Sequence, residues 1–206
     1  MNPESSIAAV FLDADGVVQL PARDWRAKLD SVCPMADRTD AFLADIFSAE
    51  DACLTGERDF ENELSCVLER WGGEGSIDAV LEIWTRVEPD GEVLELVGEL
   101  RRNGIRVALA TNQQRRRAVD MSKRYASIFD DLFFSCELGH AKPSTGFFLA
   151  TLEAATMAAH RVLFLDDNEK NVTAARSVGM RAEVVHLGEG ARFFRKILRS
   201  YGVTVA

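Results

Sequence analysis

IAAVFLDADGVV, residues 7–18, is an apolar run that stops at Asp13 and carries a second carboxylate, Asp15, and a glycine at its mouth. Its β-branched and aromatic residues do not alternate with polar ones, which predicts a strand buried on both faces of a parallel sheet. Two acids at the edge of such a strand repel each other and are poorly solvated. They persist where a metal or a shared proton offsets that cost. Two further runs end in the same way: residues 105–111 (IRVALAT) end in Thr111 and Asn112, and residues 161–165 (RVLFL) lead into Asp166, Asp167 and Asn168. In an open parallel sheet ligands bind beyond the carboxyl ends of the strands, so these polar ends are expected to meet at one edge.

The chain between these runs predicts its organisation. From about Pro21 to Val87 the periodicity is helical with no strand-like run. Trp25, Leu29 and Val32 fit one helical face, Thr39 could cap a helix carrying Phe42, Leu43, Ile46 and Phe47, and a third helix spans residues 58–71. Gly72 to Gly75 break it, and Ser76 starts a fourth helix through Trp84. From Asp90 onward helices and strands alternate, the pattern of a parallel sheet with right-handed crossovers. The expected fold is α/β: a doubly wound, mostly parallel, Rossmann-like sheet formed by residues 1–19 and 88–206, with residues 20–87 as a small all-helical cap.

Composition bounds the function. The 206 residues are 47% hydrophobic and 28% charged, enough for a sizeable core, and the net charge of −9 argues against binding a nucleic-acid backbone. Arg115, Arg116 and Arg117 read as a solvated helix face. The first residues, MNPESS, lack a basic flank and an apolar core, and no segment is long enough to span a bilayer, so a soluble cytoplasmic protein is expected. Cys33, Cys53, Cys66 and Cys136 show no zinc spacing and are expected as reduced core thiols; His140, His160 and His186 form no H-E-x-x-H pattern. His140 lies near Lys142 and could either reach a substrate or cap a loop. Trp25, Trp71 and Trp84 read as core of the helical insert, residues 188–190 as a turn, and the Asn171 to Thr173 sequon falls in a predicted helix.

The groups expected to converge are Asp13, Asp15, Thr111, Asn112, Asp166 and Asp167, with Lys142 from a nearby loop. Oxygen donors without His or Cys select a hard cation, and Mg²⁺ takes few protein ligands while keeping waters and a substrate phosphate. With a lysine and a hydroxyl added, the set suits phosphoryl transfer, where positioning and charge stabilisation supply most of the catalysis. Singly, each residue has a plainer reading: Asp13, Asp15 and Gly16 as a turn, and Asp166 to Asn168 as a helix N-cap cluster.

In order along the chain, D-x-D-G at 13–16, Thr111 after a strand, Lys142-Pro143 and the acidic pair Asp166-Asp167 resemble the phosphatase-type members of the haloacid dehalogenase superfamily. The resemblance covers nearly the whole chain, with the helical insert similar to that superfamily's first type of cap. It implies that Asp13 is the nucleophile forming an aspartyl-phosphate, and that Asp15 is the general acid and then the general base. Thr111, the Asn112 amide and the backbone amides around Ala14 and Asp15 would hold phosphate oxygens, and Lys142 would offset negative charge. Mg²⁺ would bind the Asp13 carboxylate, the Asp15 carbonyl and Asp167, with Asp166 acting directly or through water and Asn171 supporting the loop. An acid two positions after the nucleophile argues against dehalogenation, since a halide leaves without a proton. The sequence contexts ATNQ (110–113) and LDDNEKN (165–171) are similar to the group containing glucose-1-phosphate phosphatases and the phosphatase domain of soluble epoxide hydrolases. The expected partner is a small phosphorylated metabolite, possibly a sugar phosphate. A phosphomutase of the same superfamily is the nearest alternative. A phospho-aspartate receiver module fits less well, because its acidic pair comes at the first strand, and a binding-only role has no missing motif residue to support it.

Overall fold

The computed structural model describes residues 6–35, 37–73 and 77–205. Its centre is a five-stranded parallel sheet in the order β5-β4-β1-β6-β7. The strands are β1 (Ala9–Leu12), β4 (Arg106–Thr111), β5 (Asp131–Phe134), β6 (Val162–Asp166) and β7 (Arg181–Val184). Leu12 lies opposite both Leu109 and Leu165. That register brings the ends of β1, β4 and β6 side by side, which is why residues 13, 111 and 166 meet.

Alternation along each strand decides what covers each face. Val10, Leu12, Val107, Leu109, Leu163 and Leu165 point to one side, under α5 (Gly91–Arg102), α6 (Arg115–Tyr125) and α10 (Ala191–Ser200). Ala9, Phe11, Ala108, Ala110 and Phe164 point to the other, under α8 (Thr145–Ala155) and α9 (Glu169–Ser177). On this second face the sheet alanines leave room for Phe147 and Phe148, whose rings meet edge to face, as do Phe148 and Phe164 with centroids 5.2 Å apart. The short α7 (Ser135–Leu138) follows β5. At three helix starts a side chain supplies the cap: Asp90, Ser144 and Asn168 accept backbone amides of α5, α8 and α9.

A second core, separate in sequence, lies in α1 (Trp25–Val32), α2 (Thr39–Asp51), α3 (Phe60–Trp71) and α4 (Ile77–Thr85). It is built from Leu29, Phe42, Ile46, Leu64, Leu68 and Val80, among others. The expected start of the fourth helix at Ser76 lies outside the described residues. Thr39 does not cap α2; it is the first helical residue and buried, and Arg38 precedes it without a side-chain cap. The α3 helix begins at Phe60, because Asp59 rather than Arg58 supplies the cap, accepting the Asn62 amide. The sequence reading also missed a two-stranded antiparallel ribbon, β2 (Gln19–Pro21) with β3 (Val87–Pro89), at the two crossings between the helical unit and the sheet. Three residues per strand are too few to show an alternation. Among the cysteines, Cys53 and Cys136 are buried and Cys33 half-buried, but Cys66 is exposed, on the outer face of α3. No helix among the described residues is long and apolar enough to cross a membrane.

Candidate active site

The ends of β1, β4 and β6 form the floor of a cleft of about 740 Å³ whose opposite wall is the helical unit. Asp13, Asp15, Thr111, Asn112, Lys142, Asp167 and Asn171 all line it. Lys142 is the hub of the floor. Its side chain is 1% exposed, and its ammonium lies 2.8 Å from Asp13 Oδ1, 2.6 Å from Asp166 Oδ2 and 3.1 Å from the Ala110 carbonyl. The loop carrying Lys142 is fixed by a reciprocal pair with Asn112: Asn112 Nδ2 donates to the Lys142 carbonyl, and the Lys142 amide donates to Asn112 Oδ1. The Asn112 side chain is therefore occupied in placing Lys142.

Asp166 has no exposed surface, and both its oxygens are engaged, by Lys142, by the Asn168 amide and by the Asn171 side chain. Asp13 differs, since it opens on the cleft. Burial raises its pKa to about 6, with the Lys142 charge opposing and the Asp166 charge adding to the rise. Burial and the charge of Asp166 also push Asp167 upward. Asp13, Asp166 and Asp167 each offer an oxygen, all within 4.8 Å of one another. Hard oxygen donors crowded closely enough to raise each other's proton affinity fit a divalent cation of the Mg²⁺ kind. Gly16 makes this crowding possible. Its φ is +83°, and a Cβ there would fall 2.2 Å from Asp167 Oδ2.

Asp15 sits in a separate set of partners. Its Oδ1 accepts from Arg117 Nη2 and Gln19 Nε2, each at 2.8 Å, and its Oδ2 from Gln113 Nε2 at 2.9 Å. Burial would raise its pKa, but the Arg117 charge and these hydrogen bonds outweigh it and hold the carboxyl below its ordinary value. The orientation of Gln19 is fixed in turn by the Tyr125 hydroxyl, which donates to Gln19 Oε1 at 2.7 Å. Burial pushes the pKa of that phenol up to about 12, so it stays a donor. Gln113 Nε2 also donates to Thr111 Oγ1 at 3.2 Å. Ala14 is fully buried, and its carbonyl accepts the Val18 and Gln19 amides, which closes the turn that presents Asp15.

The sequence reading of Arg117 as solvated is corrected here. Arg115 and Arg116 are exposed, but Arg117 points inward to Asp15 with its side chain 14% exposed. Gln114 caps α6 and so sets which arginine faces the cleft. The triplet gave no sign of this, and neither Gln19 nor Tyr125 carries a motif. The tryptophans also divide. Trp71 and Trp84 are core, as expected, and Trp25 packs half-buried against them, but Trp25 and Trp84 also line the cleft, beside Phe47, which is 49% exposed. His140 is exposed, is absent from the cleft wall and lies beside Gly146 at the start of α8.

Several known proteins are similar to this chain. Over 96 residues the chain is 30% identical to a sesquiterpene phosphatase of Aspergillus oryzae, covering 46% of this chain and 49% of that one. Over 91 residues it is 31% identical to a phosphorylated carbohydrates phosphatase of Thermotoga maritima, covering 43% and 41%. The match to a drimenol cyclase of Aspergillus calidoustus is 42% identical over 60 residues, 29% of this chain and 11% of that one. The chain thus spans from a tenth to half the length of the curated relatives it matches. In fold it is similar to a Bacteroides thetaiotaomicron enzyme of the HAD family solved with magnesium and inorganic phosphate: TM-score 0.76, 21% identity, 92% of this chain and all of that one. The profile of the haloacid dehalogenase-like hydrolases matches residues 7–179, from β1 through the acidic pair and past α9, and the chain belongs to that family.

Proposed function

We propose that the chain is a Mg²⁺-dependent phosphatase that hydrolyses phosphate monoesters of small metabolites through an aspartyl-phosphate at Asp13. The observation that carries this reading is the contrast between two carboxylates on one lysine. Asp166 is sealed and saturated, while Asp13 shares the same ammonium and opens on the cleft. A carboxylate held by a fixed cation at the mouth of a cleft is a positioned nucleophile. Two phosphatases among the partial relatives support the same chemistry.

In this mechanism Asp13 attacks phosphorus, with Lys142, the Thr111 hydroxyl and the amides of Asn112, Ala14 and Asp15 bearing the phosphoryl oxygens. Mg²⁺, held by Asp13, Asp167 and the Asp15 carbonyl, would neutralise charge on the phosphoryl group. Asp166 would act by fixing Lys142, and Asn171 by fixing Asp166. Asp15, held ionised by Arg117, is in the form that takes a proton from the attacking water in the second half-reaction. To protonate the leaving alkoxide in the first, it must loosen its contact with Arg117 and collect a proton. Residues 20–87 would serve as a cap that excludes water during turnover.

The test is phosphate release from an aryl phosphate with Mg²⁺ and with EDTA in parallel. Turnover with the metal and its loss with the chelator are expected; release that ignores EDTA would sink the reading. A second expectation concerns the metal pocket alone. Gly16→Ala, which forces Asp167 aside, should weaken Mg²⁺ binding by at least about 10-fold and cost on the order of 1–2 kcal/mol of stability. Calorimetric Mg²⁺ titration of the folded variant reads the first effect, and unchanged affinity would remove Asp167 from the site.

A further inference from the structure

The wall of the cleft that faces the catalytic floor has a different chemistry from the floor itself. It is formed by Trp25, Phe47, Leu54, Ile83, Trp84 and Val87. The Phe47 ring is 49% exposed and leans on Trp84, centroids 5.6 Å apart, so an aromatic surface is kept open to the cleft rather than folded into the helical core. An apolar surface left open beside a charged floor marks a binding site.

The polar groups of this wall are few. Arg86 is committed to Asp24 at 3.4 Å, and Asp51 is exposed. Glu50 is buried, with its Oε1 lacking a partner among the described residues. Beside six apolar residues, these few polar groups do not match the several hydroxyls of a sugar ring, each of which must find a partner when the cleft excludes water. An alkyl or isoprenoid body needs none.

We propose that the substrate is a phosphate monoester of an apolar alcohol, with its phosphate on the Asp13 and Lys142 floor and its hydrocarbon body against Trp25, Phe47 and Trp84. This rests on the phosphatase reading and narrows it: the alcohol is selected by apolar burial, not by hydroxyl recognition. Because the wall is continuous with the phosphate site, the two ends of one amphiphilic molecule fill one cleft.

The experiment compares three primary alkyl phosphates of similar intrinsic reactivity, n-octyl phosphate, ethyl phosphate and glucose 6-phosphate, with Mg²⁺ present. The octyl ester is expected to exceed both others in kcat/KM by at least about 100-fold, given roughly 4-fold for each methylene buried. Phe47→Ser should lower the octyl-to-ethyl ratio by about 10-fold in protein whose circular dichroism is unchanged. Binding is read separately from turnover by quenching of tryptophan fluorescence with n-octylphosphonate and with ethylphosphonate, the octyl compound binding more tightly. Hydrolysis of glucose 6-phosphate as good as that of the octyl ester overturns the apolar assignment and leaves the phosphatase standing. Tight octylphosphonate binding with no ester hydrolysed supports the apolar site and rejects the phosphatase reading instead.

Discussion

Replacing Lys142 with methionine is expected to destabilise the protein by about 3–5 kcal/mol and to lower turnover by at least about 10³-fold. The ammonium is the shared partner of Asp13 and Asp166, both nearly or fully buried. Its removal leaves two carboxylates facing each other without a cation, and the cost of an uncompensated buried charge exceeds what any single surface contact could cost. Both carboxylates raise the pKa of Lys142 above its ordinary value, although burial alone would lower it, so the lysine stays charged throughout the range in which the enzyme would work. The loss of stability should be partly recovered in the double variant Lys142→Met with Asp166→Asn, since the fully buried one of the two orphaned carboxylates is then removed as well. Activity should not return, because Asp13, the proposed nucleophile, still lacks its cation. Urea denaturation of the single and double variants checks the first statement and phosphate release the second. A Lys142→Met protein as stable as the parent would mean that the three groups do not form one charge network.

Asp13→Asn should abolish turnover, by at least about 10⁴-fold, and yet stabilise the protein in metal-free buffer at pH 7 by on the order of 1 kcal/mol. The sign follows from the raised pKa. Asp13 titrates from 3.8 when unfolded and at about 6 when folded, so the native state binds this proton more tightly. Stability contributed by the protonated group is complete below about pH 4 and is lost as pH rises through about 6. Asparagine cannot ionise, so the advantage of the variant should be absent at pH 4, grow between pH 4 and 6 and level off above pH 7. It is smaller than the shift alone would give, because Lys142 loses one of its two carboxylates. Mg²⁺ should reverse the order by stabilising the parent more than the variant. Thermal melts across pH, with EDTA and with Mg²⁺, measure all of this. A variant less stable than the parent at every pH would show that Asp13 is held mainly by its lysine contact and carries no burial strain.

The charge of Asp15 rests on contacts between residues 98 and 102 positions apart, and the phenol that orients Gln19 lies 106 positions from it. Such contacts leave no local pattern, so the residues that set the charge of Asp15 were not legible beside those that carry the motif. Phe47 is the same case in the helical unit. Helical periodicity puts it near the inward face of α2, but which side of that face meets the core and which meets the cleft depends on where the sheet lies.

The strands of the parallel sheet, their polar ends and the order Asp13, Thr111, Lys142, Asp166, Asp167 follow from the chain alone. These rest on local physics: unbroken apolar runs form buried parallel strands, capping residues start the helices between them, and a parallel sheet puts every such strand end on one edge. The tertiary structure alone decided what each polar residue does there. Lys142 lies between two carboxylates, Asp166 is sealed while Asp13 stays open, Arg117 turns inward while its two neighbours face water, and Phe47 lays its ring open at the cleft against the buried Trp84. Each of these depends on which distant segment fills the space beside a side chain, and burial, charge and proton affinity are properties of that space rather than of the residue.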